Sequence, residues 1–338
     1  MDVKREISRT LRKLILGGTD LPQACDISLD HPQIEISVRL LGMGLTRDVT
    51  NSHSVACAVP FMFCIGLERS EINELVTGRY FTLEFRENRG RGNVLGIIKL
   101  KLQAILPVEC HWIGLFRAVK CQNYCIPKYR LHAHRLLLRY NQCKGRRAGE
   151  LQVSTLDAQC NAVTFICPRP VVLVCVVDGP RGNVFPMNLL GDLGGNYFAF
   201  ALNSERQAAS LVERLGRLTL STVPLSKSLI VRELGKNHYL DLIPLEEVPF
   251  ALQQSGGLDI PFPEFAIRIR ELQVLEVLPL GSHNFFLAKT VRETINMSGQ
   301  EFHMIHGFYA AHRNLSGTKR ELITDDSGSG AKERVTDS

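Results

Sequence analysis

Two groups of residues in this 338-residue chain have types and spacing suited to chemistry. Ser204 and Arg206 stand at an expected helix start, Asn203-Ser204-Glu205-Arg206, directly after the apolar run from Tyr197 to Leu202. A helix amino terminus presents unpaired N–H groups and about half a positive charge, so it attracts phosphate. Arg206 adds a charge-assisted donor. The same residues also spell Ser204-x-x-Gln207, a capping box that merely closes the helix and leaves Arg206 in solvent. Upstream, a polar loop is expected over Asn183-Val184-Phe185-Pro186-Met187-Asn188. Phe185, Pro186 and Met187 offer an apolar wall, and loop N–H groups can bond the polar edge of a heteroaromatic ring. Together the two groups form a clamp for a flat ring carrying a phosphate. A plain hairpin loop is the alternative.

Other constellations carry less. Gly191-Asp192-Leu193-Gly194-Gly195 signals a turn and lacks the spacing of a dinucleotide fingerprint or a P-loop. Cys121, Cys125, His132 and His134, with Cys110 and His111 upstream, supply zinc-type donors, but their spacing matches no finger. His132 and His134 lie two residues apart, on different faces of one helix. No metal site is expected, and no spacing supports a Ser-His-Asp or Cys-His arrangement.

The elements that position these residues are apolar runs with β-branched side chains, separated by turn signals. Val171 to Val177 ends in Asp178-Gly179-Pro180 and is followed by the run at Tyr197. The chain also resembles itself. Leu106, Pro107, His111, Leu115 and Val119 align without a gap on Leu278, Pro279, His283, Leu287 and Val291, at an offset of 172. Upstream the offset is about 136, as in Pro32 against Pro168 and Leu75-Val76 against Leu211-Val212. The second copy therefore carries an insertion of about 36 residues between Gly216 and about Ile269. Several apolar runs and one short helix per copy predict a mainly β fold, a small barrel in each half, rather than a parallel α/β sheet.

Composition narrows the class. Apolar and charged residues are 45% and 22% of the chain, as in ordinary globular proteins. No apolar run approaches the roughly 18 residues of a membrane helix. The net charge of +6 is spread along the chain, which does not indicate nucleic acid. Ten cysteines and no secretory signal at Met1 to Gly18 predict reduced thiols and a cytoplasmic location. Cys57, Cys64, Cys167 and Cys175 sit in apolar runs, as small hydrophobes do.

Residues 161 to 312 resemble the flavin reductase-like family of the FMN-binding split-barrel superfamily. That family runs from a Pro-Arg-Pro-Val-like strand through an Asn-Val-Ala-Pro-x-Ser-like loop to a Ser-x-Arg-Lys-Thr-like phosphate site. A later turn is Gly-Asp-His-like. This chain has Pro168-Arg169-Pro170-Val171, Asn183 to Asn188, Ser204-Glu205-Arg206-Gln207-Ala208 and Gly281-Ser282-His283 in that order. The resemblance implies FMN as cofactor, with NAD(P)H as the possible reductant. It places Asn183, Phe185, Pro186, Met187 and Asn188 along the flavin ring and ribityl chain, and Ser204 and Arg206 on the phosphate. Asn188 stands where the family often has Ser, and Gln207-Ala208 where it often has Lys-Thr. Lys236 and His238 are candidates to meet a nicotinamide nucleotide or substrate, with an ordinary surface turn as the alternative. His283 is expected to be a strand-turn residue, since His111 occupies the same place in the other copy.

The family usually works as a dimer, so two copies in one chain predict two tandem split barrels forming an internal pseudo-dimer. A further homodimer is compatible with this. The expected division is a basic helix and lead-in over 1–30 and a degenerate barrel without cofactor over 31–127. A helical linker over 128–160 leads to the flavin-binding barrel over 161–315, and a disordered tail fills 316–338. The first copy has Asp48-Val49-Thr50-Asn51 against Asn183-Val184-Phe185-Pro186 and is expected not to bind flavin. A non-enzymatic flavin-binding or scaffold protein that has lost catalysis, or a split barrel binding haem or a deazaflavin, is the alternative function.

Overall fold

The computed structural model describes residues 23–30, 35–69, 76–88, 92–109, 111–144 and 153–315. The basic helix expected at the amino terminus and the tail expected after residue 315 lie outside the described residues, as does Cys110.

The fold is mainly β. Strand β1 (Cys25–Leu29) comes first, followed by β2 (Ile36–Gly42), β3 (Leu45–Asp48), β4 (His53–Ala58) and β5 (Phe61–Leu67). Then come β6 (Tyr80–Glu87) and a long hairpin, β7 (Val94–Val108) with β8 (His111–Asn123). Helices α1 (Lys128–Lys144) and α2 (Thr155–Thr164) follow. The second half runs β9 (Arg169–Pro170), β10 (Val172–Asp178), β11 (Arg181–Met187), β12 (Leu190–Gly194) and β13 (Tyr197–Asn203). Helix α3 (Gln207–Leu215) leads to β14 (Arg217–Thr222) and then to α4 (Ser228–Glu233) and a 3-10 segment, Leu234–Tyr239. Short strands β15 (Ile243–Pro244), β16 (Leu252–Gln254) and β17 (Pro261–Pro263) precede a second long hairpin, β18 (Arg268–Leu280) with β19 (His283–Ile295). Strand β20 (Glu301–Ile305) and α5 (Gly307–Leu315) end the described chain.

The first large sheet has the order β3-β2-β6-β7-β8-β5-β4. The second has β11-β10-β14-β18-β19-β13-β12, with β15 added beside β11. Strand for strand, the two orders are the same. All pairings are antiparallel. The second sheet curls around its own core, because one apolar cluster draws Val172 and Val174 from β10, Phe185 from β11, Phe200 from β13, Leu220 from β14 and Phe286 from β19. Burying these large side chains contributes about 2 kcal/mol each.

The two sheets meet through a shared cluster. Cys57, Met62 and Ile113 of the first pack with Leu193, Tyr197, Phe285 and Leu287 of the second. The backbones approach closely here. A Cβ on Gly66 would overlap the Leu193 carbonyl, and one on Gly191 would lie 2.6 Å from the His53 carbonyl oxygen. A small third sheet, β1-β20-β9, joins the start of the described chain to its end, so the lead-in before residue 31 is tied into the carboxyl-terminal half.

Helix α2 begins with a full capping box, Ser154 with Asp157, and Asp157 Oδ1 also accepts the Phe61 N–H at 2.8 Å. That bond pins α2 to the first sheet. Helix α5 is held by a buried pair, Arg313 Nη2 to Glu35 Oε1 at 2.6 Å, with the Tyr309 hydroxyl on the same carboxylate at 3.1 Å. The eight cysteines whose side chains the structure describes are buried and outside any disulfide.

Candidate functional site

Residues 183–188, expected as a loop, are mostly strand. Asp178-Gly179-Pro180-Arg181 makes the tight turn, with Gly179 at φ 57°, and β11 returns along β10 in the register Val176↔Asn183 to Val172↔Met187. The turns Gly42–Leu45 and Asp178–Arg181 correspond, which matches Arg47 to Asn183 and corrects the sequence alignment of Asp48 with Asn183 by one residue.

Alternation along β11 sends Phe185 and Met187 into the second core, where both are buried. Val184 faces the other way, into the cluster formed with Val231, Leu234 and Val248 of the inserted connection. This connection runs from Val223 to Ile267, between β14 and β18, and its 3-10 segment lies along β11. The Asn183 side chain is buried, and its Nδ2 donates to the carbonyls of Asn237 at 3.0 Å and Leu240 at 2.9 Å. Asn237 Nδ2 donates to the Val184 carbonyl at 2.8 Å. His238 Nε2 donates to the Pro186 carbonyl at 2.8 Å, and its ring contacts Phe185 with centroids 4.9 Å apart. Burial lowers the His238 pKa, which favours this neutral donor, and nearby Arg206 lowers it further. The segment thus satisfies carbonyls along β11 that a strand so near the sheet edge would otherwise leave open.

The phosphate candidates lie at the other end of the same segment. Ser204 does not cap the helix. Its hydroxyl donates to the Ser282 carbonyl at 3.3 Å, and its N–H to the same oxygen at 3.1 Å. The N-cap of α3 is Arg206, with no side-chain capping bond, and the first turn holds no acidic residue. The capping-box alternative is therefore overturned: a long-range bond to the β18–β19 turn takes the hydroxyl that the box needs. The amino end of α3 remains uncapped. Arg206 is half-buried, its guanidinium 3.8 Å from the centroid of the Tyr239 ring.

Of the candidate nicotinamide contacts, His238 is held on β11 and Lys236 is exposed. Asn188 donates to the Met304 sulfur at 3.6 Å. His283 begins β19 and takes part in a 2.7 Å bond with the Ser282 hydroxyl; burial lowers its pKa to about 4. His111 begins β8 in the same way. Of the residues with zinc-type donors, His134 packs against Phe308, Cys121 donates to the Gln159 carbonyl and Cys125 to the Leu95 carbonyl.

For a flavin, the two ends of this arrangement differ. The uncapped α3 terminus with Ser204 and Arg206 fits a phosphate. The β11 backbone, where the ring was expected, is occupied by Asn237 and His238. Sequence reasoning singled out the titratable members of Leu234-Gly-Lys-Asn-His-Tyr239 and missed Asn237 and Tyr239. Their signal was the same hexapeptide: a carboxamide able to match a peptide group, and an aromatic ring able to stack on a guanidinium.

No known sequence family matches the chain, and no curated protein matches it. Among solved structures, an FMN-binding protein from Thermus thermophilus is 23% identical, with 38% of this chain and 71% of that chain covered, at a TM-score of 0.33. An NADH:FAD oxidoreductase from Streptomyces globisporus is 12% identical over 56% of this chain and 98% of that one, at 0.39. The styrene monooxygenase flavin reductase of Pseudomonas putida is 13% identical over 44% and 92%, at 0.36.

Proposed function

We infer that the chain is a flavin-binding oxidoreductase built as two tandem split barrels in an internal pseudo-dimer, with the second barrel holding FMN by its phosphate. The observation that carries this reading is the uncapped amino end of α3, flanked by Ser204 and Arg206 directly after β13. The order of the Pro168, Asn183, Ser204 and Gly281 motifs supports it, as does the common strand order of the two large sheets. When bound, the flavin would supply the ring that accepts a hydride from NAD(P)H. This chain's residues would bind and orient it. The α3 N–H groups and Arg206 would hold the phosphate, and the Leu234–Tyr239 segment would cover β11.

A test is the colour and melting of the purified full chain. Flavin absorbance released on denaturation, or a rise in Tm with excess FMN that Arg206→Ala removes, is the expected result. A colourless protein whose Tm ignores FMN refutes the reading. Anaerobic bleaching of the bound flavin by NADH or NADPH tests the reductase activity separately.

The hydrogen bonds of Asn237 and His238 on β11 favour a second reading, a barrel that keeps the framework as a scaffold without flavin. The same titration separates the two.

A further inference from the structure

Away from α3, a cavity of about 150 Å³ opens where the first sheet meets the mouth of the second. Val172, Leu190, Phe198 and Leu220, all members of the second core, form its apolar wall. Thr50, Asn51 and His53 of the first half close it from the other side. None of the residues expected to hold flavin lines it.

Arg169 lines this cavity and is only 5% exposed. Its Nη2 donates to His53 Nε2 at 2.8 Å. His53 Nδ1 is 2.6 Å from the Val49 carbonyl, which makes the imidazole a neutral ring donating there and accepting from Arg169. Among the described residues, the Arg169 Nε has no hydrogen-bond partner. The groups acting on the guanidinium electrostatically are the Cys167 and Cys64 thiols, and burial lowers its pKa. A buried cation without a counter-charge is costly, by several kcal/mol.

The other two arginines of the cavity are in a different state. Arg268 is paired with Glu301 and Glu293, and Arg270 with Asp192 and Glu293. Arg270 also lies over the Phe198 ring at 4.6 Å. His303 adds a ring whose Nδ1 sits 3.0 Å from the Glu301 carbonyl. Asp192 and Glu301 thus line the cavity already engaged, and their charge disfavours a dianion. Among the described residues, Arg169 is the cavity cation left without a carboxylate, beside an apolar wall. An apolar cavity of about 150 Å³ holds a single benzene-sized ring, far less than a three-ring flavin.

The geometry points to a binding site for a small monocarboxylate with one ring-sized apolar body, its carboxylate on Arg169 and its ring against Leu190, Phe198 and Leu220. This assignment does not rest on flavin binding. The ligand's carboxylate would add the missing counter-charge through a charge-assisted, fork-shaped contact.

The test uses the full chain with benzoate as probe, followed by thermal unfolding and titration calorimetry. Benzoate is expected to raise Tm by a few degrees in a dose-dependent way. Benzamide, of equal shape without charge, and phthalate, a dianion, are expected to leave it unchanged. Arg169→Met should weaken benzoate at least about tenfold. Should that variant fail to fold, Asn51→Trp, at an exposed position on the cavity rim, should block binding in a folded protein. Arg206→Ala should leave benzoate binding intact, which separates this site from the flavin reading. The assignment is overturned if benzoate does nothing to the wild-type chain, if benzamide binds equally well, or if benzoate binding survives either cavity substitution.

Discussion

The two large sheets share one strand order, yet they treat corresponding strands differently. In the first, β3 is a short edge of four residues, with Thr46 and Asp48 exposed. Its sheet passes from β6 to β7 through residues 88–93. In the second, β11 is seven residues long, and the connection over 223–267 bends back to bond its carbonyls. Both solutions protect a strand that could recruit another chain. One uses brevity and polar side chains, the other a cover. The cover also brings Tyr239 onto Arg206, so the half with the uncapped α3 amino end is also the half with a long connection beside it.

The comparison breaks most completely where the sheets touch. Gly66 has no room for a side chain, because a Cβ would meet the Leu193 backbone, which cannot rotate away. Gly66→Val should cost more than about 4 kcal/mol and yield insoluble or unfolded chain. A variant melting within a few degrees of wild type would mean that the sheets can separate locally and that the shared cluster is dispensable.

The next largest effect belongs to the core of the first sheet, against which the carboxyl-terminal helix α5 packs. Arg313 on α5 reaches Glu35, and both side chains are buried, at 4% and 6% exposure. Removing one partner leaves a buried charge, at about 3–5 kcal/mol. Arg313→Met should lower Tm by about 10 °C. The double variant Arg313→Met with Glu35→Leu should recover part of that loss. Failure to recover would show that Tyr309, which also bonds Glu35, needs the carboxylate in its own right.

Acid should act on both halves through buried histidines. Burial lowers the His53 pKa to about 3, with Arg169 adding to it. Burial lowers His283 to about 4, and His306 to about 4 with a contribution from His134. Each folded value lies below the ordinary 6.5, so the unfolded chain binds more protons between the two. Stability is full above pH 6.5 and falls as the pH drops towards 4, by several kcal/mol in all. Urea midpoints measured from pH 7.5 to 4.5 should decline. His53→Gln and His283→Gln should each flatten the decline, and a flat wild-type profile would refute the assignment of neutral buried rings.

The strand framework was legible because hydrophobic runs and turn signals are local. Leu106-Pro107 with His111, and Leu278-Pro279 with His283, fall in the two long hairpins, and Asp178-Gly179-Pro180 marked a tight turn. Asn183 to Asn188 misled as a loop because its polar residues fall on positions whose partners are distant: Asn183 bonds Asn237 and Leu240, and Asn188 the Met304 sulfur. Ser204 misled for the same reason, since its hydroxyl goes to Ser282. Arg169 was legible only as part of the Pro168-Arg169-Pro170-Val171 motif, with no signal that it is a buried cation. It stands in a Pro-Arg-Pro strand, and its side chain bonds His53, 116 residues earlier. Local pattern shows where strands run, whereas the pairing of polar groups across the chain decides which of them are exposed to a ligand.

The smallest expected change in stability tests the cover on β11. Tyr239 is 62% exposed and touches Arg206 by ring stacking. An exposed contact of this kind contributes about 0.5–1 kcal/mol, so Tyr239→Ala should lower Tm by no more than about 3 °C. Its effect on ligand binding should be larger in kind. Freed from the ring, Arg206 can turn fully to an anion at the α3 amino end, and FMN or inorganic phosphate should bind several-fold more tightly than to wild type. Asn237→Ala should act on the opposite balance. It leaves the Val184 carbonyl without its donor, costs about 1–3 kcal/mol, and loosens the cover along β11 without touching Arg206. If Tyr239→Ala weakens FMN while Asn237→Ala has no effect, the tyrosine positions the guanidinium for phosphate instead of competing for it, and the segment belongs to the binding site as a wall. If both variants tighten FMN, the segment is a cover that flavin must displace, and the second half differs from the first by carrying a gate as well as a site.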